Sequence, residues 1–339
     1  MNILLTCVGR RNYMVDYFKS TLEPSGGKVF VANSHPNAAG FASADGGFIV
    51  PGLYDPGYID RLIQICHQFE ILAIIPLFDL ELPVLANALP RFSAEGICAV
   101  VSSPNVVKIC NDKWQTKGFL EGAGFHSPHT FLRMDSALDA LAANEIEYPV
   151  ILKPRWGMGS ICLFTAENER EFRFFYSEIV QHIEKSTLNN VSIRDHESMV
   201  LIQEKLSGQE YGLDVINDLQ GNYIATFVKK KIAMRSGETD VAMTVADRDL
   251  DALGQAIAQK LRHIANLDMD VFLTEKGEYI LDMNPRFGGG YPFSHLAGAN
   301  LPGAIIAWLK HESADPSYFE IEPNVIGCKG ILPLRLINR

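Results

Sequence analysis

Asp282, Asn284 and Arg286 stand at alternate positions within residues 280–293, ILDMNPRFGGGYPF, and run into Gly288, Gly289 and Gly290. On a strand, alternate side chains share a face. That face would carry a carboxylate, a carboxamide and a guanidinium in a row. An apolar core rejects such a face, because buried polar groups without partners are costly. The plain alternative is a half-exposed antiparallel strand with a solvated side and a glycine turn.

Three further groups of residues favour a site. Asp270, in DMDVFL, precedes Asp282 by one strand, a turn at EKGE and a returning strand. Such a hairpin brings cross-strand neighbours to about 5 Å. Asp270, Asp282 and Asn284 would then form an all-oxygen set suited to Mg²⁺, with Mn²⁺ as a substitute. Arg286 could fork onto an anionic oxygen as charge develops there. In VILKPRWGMGS, Lys153 ends an apolar strand before a Gly-Met-Gly turn. A lysine beside a flexible loop can cradle phosphate, although the Walker A spacing is absent. In LIQEKLSGQEYGLDV, the backbone of Glu204 and Leu206 could pair with an adenine edge, and Glu210 could accept from ribose hydroxyls. A hairpin with exposed acids explains that last stretch equally.

The elements that must hold these residues change character along the chain. In the first third, NILLTCV, VFVAN, AIIPLF and ICAVVSS read as buried strands. YMVDYFKSTL, YIDRLIQICHQF and LELPVLANALPRF read as helices between them. That alternation predicts a parallel, doubly wound sheet, whose ligands lie beyond the carboxyl ends of the strands. Gly9, Arg10 and Arg11 follow the first strand and open a helix, which suits an anion. Asp79 and Glu81 follow another strand and could receive an ammonium. Ordinary loop charge is the alternative for all of these. Beyond a helix capped by Asn111 or Asp112, strands and hairpins predominate, with helices near 167–184 and 249–265. The polar stretch 186–197 reads as a mobile loop.

Composition narrows the function. The chain has 339 residues, 47% hydrophobic, 21% charged, with a formal net charge of -10. An acidic chain whose one basic run is Lys229–Lys231 is a poor nucleic-acid binder. Six cysteines without a C-x-x-C pair read as reduced thiols in a cytoplasmic setting. No stretch approaches the ~20 apolar residues that cross a membrane, and the N-terminus does not read as a signal peptide.

These motifs, in this order, resemble the ATP-grasp superfamily over roughly residues 105–312. The likeness is greatest to the halves of the carbamoyl-phosphate synthase large subunit and to short ligases similar to it. The segment ILDMNPRFGGGYPFSHLAGANLP is similar to the family's E-x-N-P-R strand and following helix, with Asp282 in place of the usual glutamate. The resemblance implies an N-terminal Rossmann-like (pre-ATP-grasp) domain at 1–104. A small ATP-grasp subdomain with linker would follow at 105–198, and a large one at 199–339. It also implies ATP and Mg²⁺ as cofactors. Lys113 would meet the α-phosphate, and Lys153 with Met158 and Gly159 would hold the α- and β-phosphates. Glu204 and Leu206 would read adenine, and Glu210 the ribose. Asp270, Asp282 and Asn284 would bind metal, and Arg286 would stabilise an acyl phosphate. KKKIAMRSGETD resembles the segment approaching triphosphate and acceptor, and there Arg235 is preferred to the lysines.

The expected activity is an ADP-forming carboxylate-amine ligase acting on small molecules, with a homodimer allowed. One alternative is a carbamoyl-phosphate-synthase-like subunit acting on carbamate or bicarbonate with partners. Another is a non-catalytic ATP-binding regulatory protein. A nicotinamide-dependent oxidoreductase is disfavoured, because TCVGRRN has a single glycine where G-x-G-x-x-G is needed.

Overall fold

The structure, a computed structural model, describes residues 1–157, 159–192, 195 and 198–336. Five apolar runs near the N-terminus form β1 (Asn2–Thr6), β2 (Lys28–Asn33), β3 (Gly46–Ile49), β4 (Ile71–Pro76) and β5 (Cys98–Ala99). They pair in parallel in the order β3-β2-β1-β4-β5. Ile3, Leu4 and Leu5 are all fully buried, because helices cover both faces. Helix Asn12–Leu22 supplies Met14, Val15, Phe18 and Leu22 to one face, and helix Tyr58–Gln68 supplies Leu62 and Ile65 to the other. β1 has β2 on one side and β4 on the other, so the loops after β1 and β4 open side by side. That is the topological switch point of such a sheet.

Two elements differ from the sequence expectation. The helix expected over 80–92 is two short ones, Leu82–Asn87 and Leu89–Ala94. Pro90, in the first turn of the second, has no N–H to continue the first. The strand expected in ICAVVSS narrows to Cys98–Ala99.

A second sheet follows, made of β6 (Thr130–Phe131), β7 (Val150–Pro154), β8 (Phe164–Ala166) and β9 (Val200–Glu204), in the order β6-β9-β7-β8. Helix Glu169–Glu184, capped by the Asn168 side chain, packs Phe172, Ile179 and Ile183 against it. The third sheet comprises β10 (Gln209–Asn217), β11 (Tyr223–Arg235), β12 (Glu238–Val245), β13 (Ala265–Thr274), β14 (Gly277–Asn284) and β15 (Ile326–Cys328). Its order is β14-β13-β10-β11-β12-β15, antiparallel throughout.

Period-two alternation splits this large sheet into an apolar and a charged face. Leu213, Val215, Val228, Met269, Val271 and Met283 join one core with residues of helix Arg248–Leu261. The intervening Asp214, Lys229, Asp268, Asp270, Asp282 and Asn284 turn to the other face. A helix-covered face buries a run of apolar side chains, and the opposite face is left to do chemistry.

Sheet membership divides the chain differently from the expected boundaries at 104 and 198. β9 lies between β6 and β7 and hydrogen-bonds to both, so it belongs with the small sheet. Helices Pro104–Asn111 and Lys113–Ala123 bury Val106, Cys110 and Leu120 against the large sheet. Within the stretch expected as a mobile loop, Asn189–Ser192 forms a helical turn. Residues 193, 194, 196 and 197 of that stretch lie outside the described residues.

Candidate active site

The β13–β14 hairpin sets two acids side by side. Asp270 pairs with Asp282 across the ladder, and Asp268 pairs with Asn284. The expected convergence of Asp270, Asp282 and Asn284 on one face therefore matches the register. Lysines from neighbouring elements reach these acids. Lys231 Nζ donates to Asp270 Oδ1 and to Glu210 Oε1, each at 2.6 Å. Lys113 Nζ donates to Asp282 Oδ1 at 3.3 Å and to the Gly157 carbonyl at 3.0 Å. Lys153, at the end of β7, donates to Gln203 Oε1 at 3.0 Å.

The electrostatics follow from burial and crowding. Burial pushes the Asp270 carboxyl up to about 6; Lys231 opposes this, and Asp268 and Glu210 add to it. Burial pulls Lys231 down, but Asp270 and Glu210 outweigh it and hold the ammonium above its ordinary value. Lys153 is lowered to about 8, mainly by burial and then by Lys113, while Asp282 and Asp270 pull the other way. Beneath the site, Asp214 ties the Lys229 ammonium to the Ser294 hydroxyl, which donates to it at 2.6 Å.

Arg286 is gripped from two sides. Its Nη1 donates to Asp268 Oδ2 at 2.7 Å, and its Nη2 to Asp79 Oδ2 at 3.0 Å. The two carboxylates outweigh burial and hold the guanidinium above its ordinary value. Asp79 comes from the loop after β4, so the N-terminal sheet helps to set this side chain. It is therefore an anchor of Arg286 and not an open receiver for an ammonium. Glu81 departs further from expectation. It is fully buried, accepts from the Tyr58 hydroxyl at 2.6 Å, and is raised chiefly by burial. It faces the interior of the first sheet's layer.

Two cavities meet at these residues. One, of about 290 Å³, has apolar walls from Ile151, Leu163, Leu206, Phe272 and Leu281, with Lys153, Glu204 and Glu210 among its polar lining. The other, of about 570 Å³, is lined by Arg10, Arg11, Asp79, Lys229, Lys231, Asp268 and Arg286, among others. Gly159, Asp270 and Asp282 line both. Arg155 braces the loop between them, forking onto Asp112 at 2.7 and 2.8 Å and reaching Asp195 at 2.6 Å. The expected phosphate contact Met158 lies outside the described residues.

Arg235 does not join this assembly. Its side chain is 59% exposed and pairs with Asp240 at 2.9 Å. Irregularities in β11 at Lys231–Ala233 and Ala233–Met234 break the alternation that would have carried it inward. The residues that do face inward are Lys229 and Lys231, to which the sequence reading preferred Arg235, and Asp214 and Asp268, which it did not single out. Strict alternation in DMD was the available signal for Asp268.

The donor set fits a hard divalent cation. Two carboxylates and an amide oxygen on adjacent strands leave coordination positions for water and phosphate oxygens, which is how Mg²⁺ is usually held. Among the described residues, no cluster of three or more histidine, cysteine, aspartate or glutamate side chains forms a fuller protein cage.

A family model described as an ATP-grasp domain matches residues 110–290, over half of the chain. The chain belongs to the ATP-grasp family. A second model, described as a PylC-like N-terminal domain, matches residues 3–101. The carbamoyl phosphate synthase large chain of Campylobacter jejuni is 25% identical over 227 residues, covering 64% of this chain and 20% of that protein. Its counterpart from Pyrococcus furiosus is 24% identical over 288 residues, covering 78% and 26%. This ATP-grasp chain thus spans about a fifth to a quarter of those relatives.

Solved structures share its fold. A biotin carboxylase complex with β-γ-ATP from Campylobacter jejuni superposes with a TM-score of 0.75 at 17% identity, covering 96% of this chain and 75% of that one. An L-amino acid ligase from Bacillus licheniformis gives 0.73 at 18% identity, covering 98% and 81%. The N-terminal α/β layer followed by the ATP-grasp fold is therefore as the sequence implied.

Proposed function

We propose that this protein is an ADP-forming ligase that activates a carboxylate as an acyl phosphate and couples it to an amine. The observation that carries this reading is the junction of an apolar cleft and a charged chamber at Asp270 and Asp282. The cleft suits a nucleoside, with adenine against Ile151, Leu163 and Phe272, edge contacts from the backbone of Glu204 and Leu206, and the ribose at Glu210. Lys113, Lys153 and the Gly159 loop would take the α- and β-phosphates. Asp270, Asp282 and Asn284 would hold Mg²⁺, which would share phosphate oxygens and neutralise their charge. Arg286, fixed by Asp79 and Asp268, would meet the developing charge of the acyl phosphate and of the tetrahedral species formed from it. Catalysis would then be positioning and charge neutralisation.

The names of similar proteins support a ligase of this kind and suggest a second reading. The curated relatives are carbamoyl phosphate synthase large chains, which favours a subunit acting on carbamate or bicarbonate with partners. One structural neighbour is described as a biotin carboxylase domain dimer, which is consistent with a homodimer here. The cysteines suit a cytoplasmic location. ADP release measured with Mg-ATP across pairs of carboxylates and amines tests the proposal. Release that needs both substrates, and that is lost in Asp282→Asn, is expected. ATP bound tightly but never turned over with any pair would favour a regulatory protein instead.

A further inference from the structure

We infer that the acid activated by this site carries a second anionic group, a carboxylate or a phosphate, and that Arg10 and Arg11 bind it. The inference rests on the ligase reading above and adds the class of its substrate.

The starting observation is the charge balance of the larger chamber, about 570 Å³ in volume. Nearly every charge on its wall already has a protein partner. Lys231 answers Asp270, Lys113 answers Asp282, and Arg286 answers both Asp79 and Asp268. Lys229 is held by Asp214, and Glu238 by Lys329. Two cations remain. Arg11 contacts only neutral acceptors, the Leu77 carbonyl at 2.7 Å and the Phe287 carbonyl at 3.1 Å, both through Nη1. Its Nε and Nη2 have no hydrogen-bond partner among the described residues. Arg10 lines the same chamber and, among the described residues, makes no hydrogen bond or ion pair. Two adjacent guanidinium groups, Arg10 exposed and Arg11 half-buried, thus line this chamber without a carboxylate partner among the described residues. Their planar forks match a carboxylate or a phosphate.

Their place in the fold points the same way. Both follow β1, next to the loop that follows β4, at the switch point where such sheets take ligands. The Arg11 bond to the Phe287 carbonyl ties this corner to the residue beside Arg286. An anion held there stands in a fixed relation to the guanidinium that meets the acyl phosphate. The acid is therefore the substrate this pair orients. A monocarboxylate would place its one anionic group at the reacting centre and leave both arginines unanswered.

The test uses the full chain with Mg-ATP and hydroxylamine, which traps an acyl phosphate as a hydroxamate and releases phosphate. The probes are butyrate, glutarate and 3-phosphonopropionate, with shorter and longer homologues of each. The dianionic acids should give hydroxamate and ADP with a KM at least about tenfold below that of the matched monocarboxylate, roughly the scale of one charged hydrogen bond. Comparing the glutarate and phosphonate arms tells which anion the pair prefers. Arg10→Ala should raise KM for the preferred dianionic acid by roughly tenfold to a hundredfold without changing the ATP dissociation constant. Arg10→Lys should restore part of that loss. Equal use of monoanionic and dianionic acids, or an Arg10→Ala effect shared equally by both, overturns the inference and leaves the ligase reading standing. Tight ATP binding with no ADP released for any acid, with or without an amine, removes the ligase reading and this inference with it.

Discussion

Lys153→Met tests whether a half-buried lysine at the end of β7 holds nucleotide phosphate. The side chain ends in a cleft wall, donates to Gln203 and is lowered from 10.5 to about 8, chiefly by burial. Methionine keeps its length and removes its charge. A folded-state value below the unfolded one means that the charged lysine opposes folding below pH 8. That opposition fades as pH rises from about 8 toward 10.5. The variant should therefore melt no lower than the parent near neutrality, with a gain of at most ~3 kcal/mol from a shift of this size. ATP affinity should move the other way, falling tenfold or more through loss of a charge-assisted bond. The parent supplies an internal control. With a value of about 8, roughly nine-tenths of the lysine is charged at pH 7 and roughly one-tenth at pH 9. ATP should bind the parent about tenfold more weakly at pH 9, and that dependence should vanish in the variant. Calorimetric titration at both pH values, with a thermal melt of each protein, measures all of this. A folded Lys153→Met protein that binds ATP as the parent does would refute the reasoning.

Arg286→Ala should leave Mg-ATP affinity nearly intact and cut turnover by ~10²-fold or more, read from paired titration and single-turnover rates. Asp79→Asn should give a smaller loss in the same parameter, since it loosens one of the two anchors of Arg286. Because burial raises the Asp270 carboxyl to about 6, Mg²⁺ must displace a proton below that pH. The Mg²⁺ concentration that gives half-maximal ADP release should therefore rise as pH falls below 6, approaching about tenfold per unit. A Cβ at Gly288 would overlap the Asp268 carboxylate, whereas one at Gly289 would make only ordinary contacts, the nearest at 3.5 Å. Gly288→Ala should consequently push Asp268 off Arg286 and depress activity, while Gly289→Ala should be mild in both melting and rate.

The sequence made some of this legible and hid the rest for definite reasons. The hairpin of Asp270 and Asp282 was readable because alternation and turn spacing are local properties. Asp268 obeys the same alternation, but its partner Arg286 lies in the loop beyond the next strand, and the match is visible only once the register is fixed. Asp214, Lys229 and Ser294 come from separate elements and meet beneath the site, where no local pattern records their contact. Arg235 failed for the opposite reason: its alternation with Lys229 and Lys231 was real in sequence, and bulges in β11 cancelled it. Glu81 was placed at a loop by its position after β4, but Leu82 and Leu85 draw the following turn into the core and carry the acid inside with them.

The arrangement of charges also explains how so acidic a face can exist before nucleotide arrives. Unpaired carboxylates in a partly dry chamber would be costly or would take up protons. Here each acid proposed for the metal is matched by a lysine that also lines the nucleotide or substrate space: Asp270 by Lys231, and Asp282 by Lys113. On the proposed reading, Mg-ATP brings both signs at once. Its cation answers the carboxylates, and its phosphates answer the lysines released from them. Mg-ATP adds net negative charge, but each carboxylate would still face a cation and each lysine an anion, so neither state leaves a bare carboxylate or ammonium, and the exchange needs only side-chain movement. Arg286 is excluded from this exchange, because its partners Asp79 and Asp268 are not among the residues assigned to nucleotide or metal on this reading. Its guanidinium stays fixed while the lysines change partners, as a group that must meet charge appearing only during reaction should.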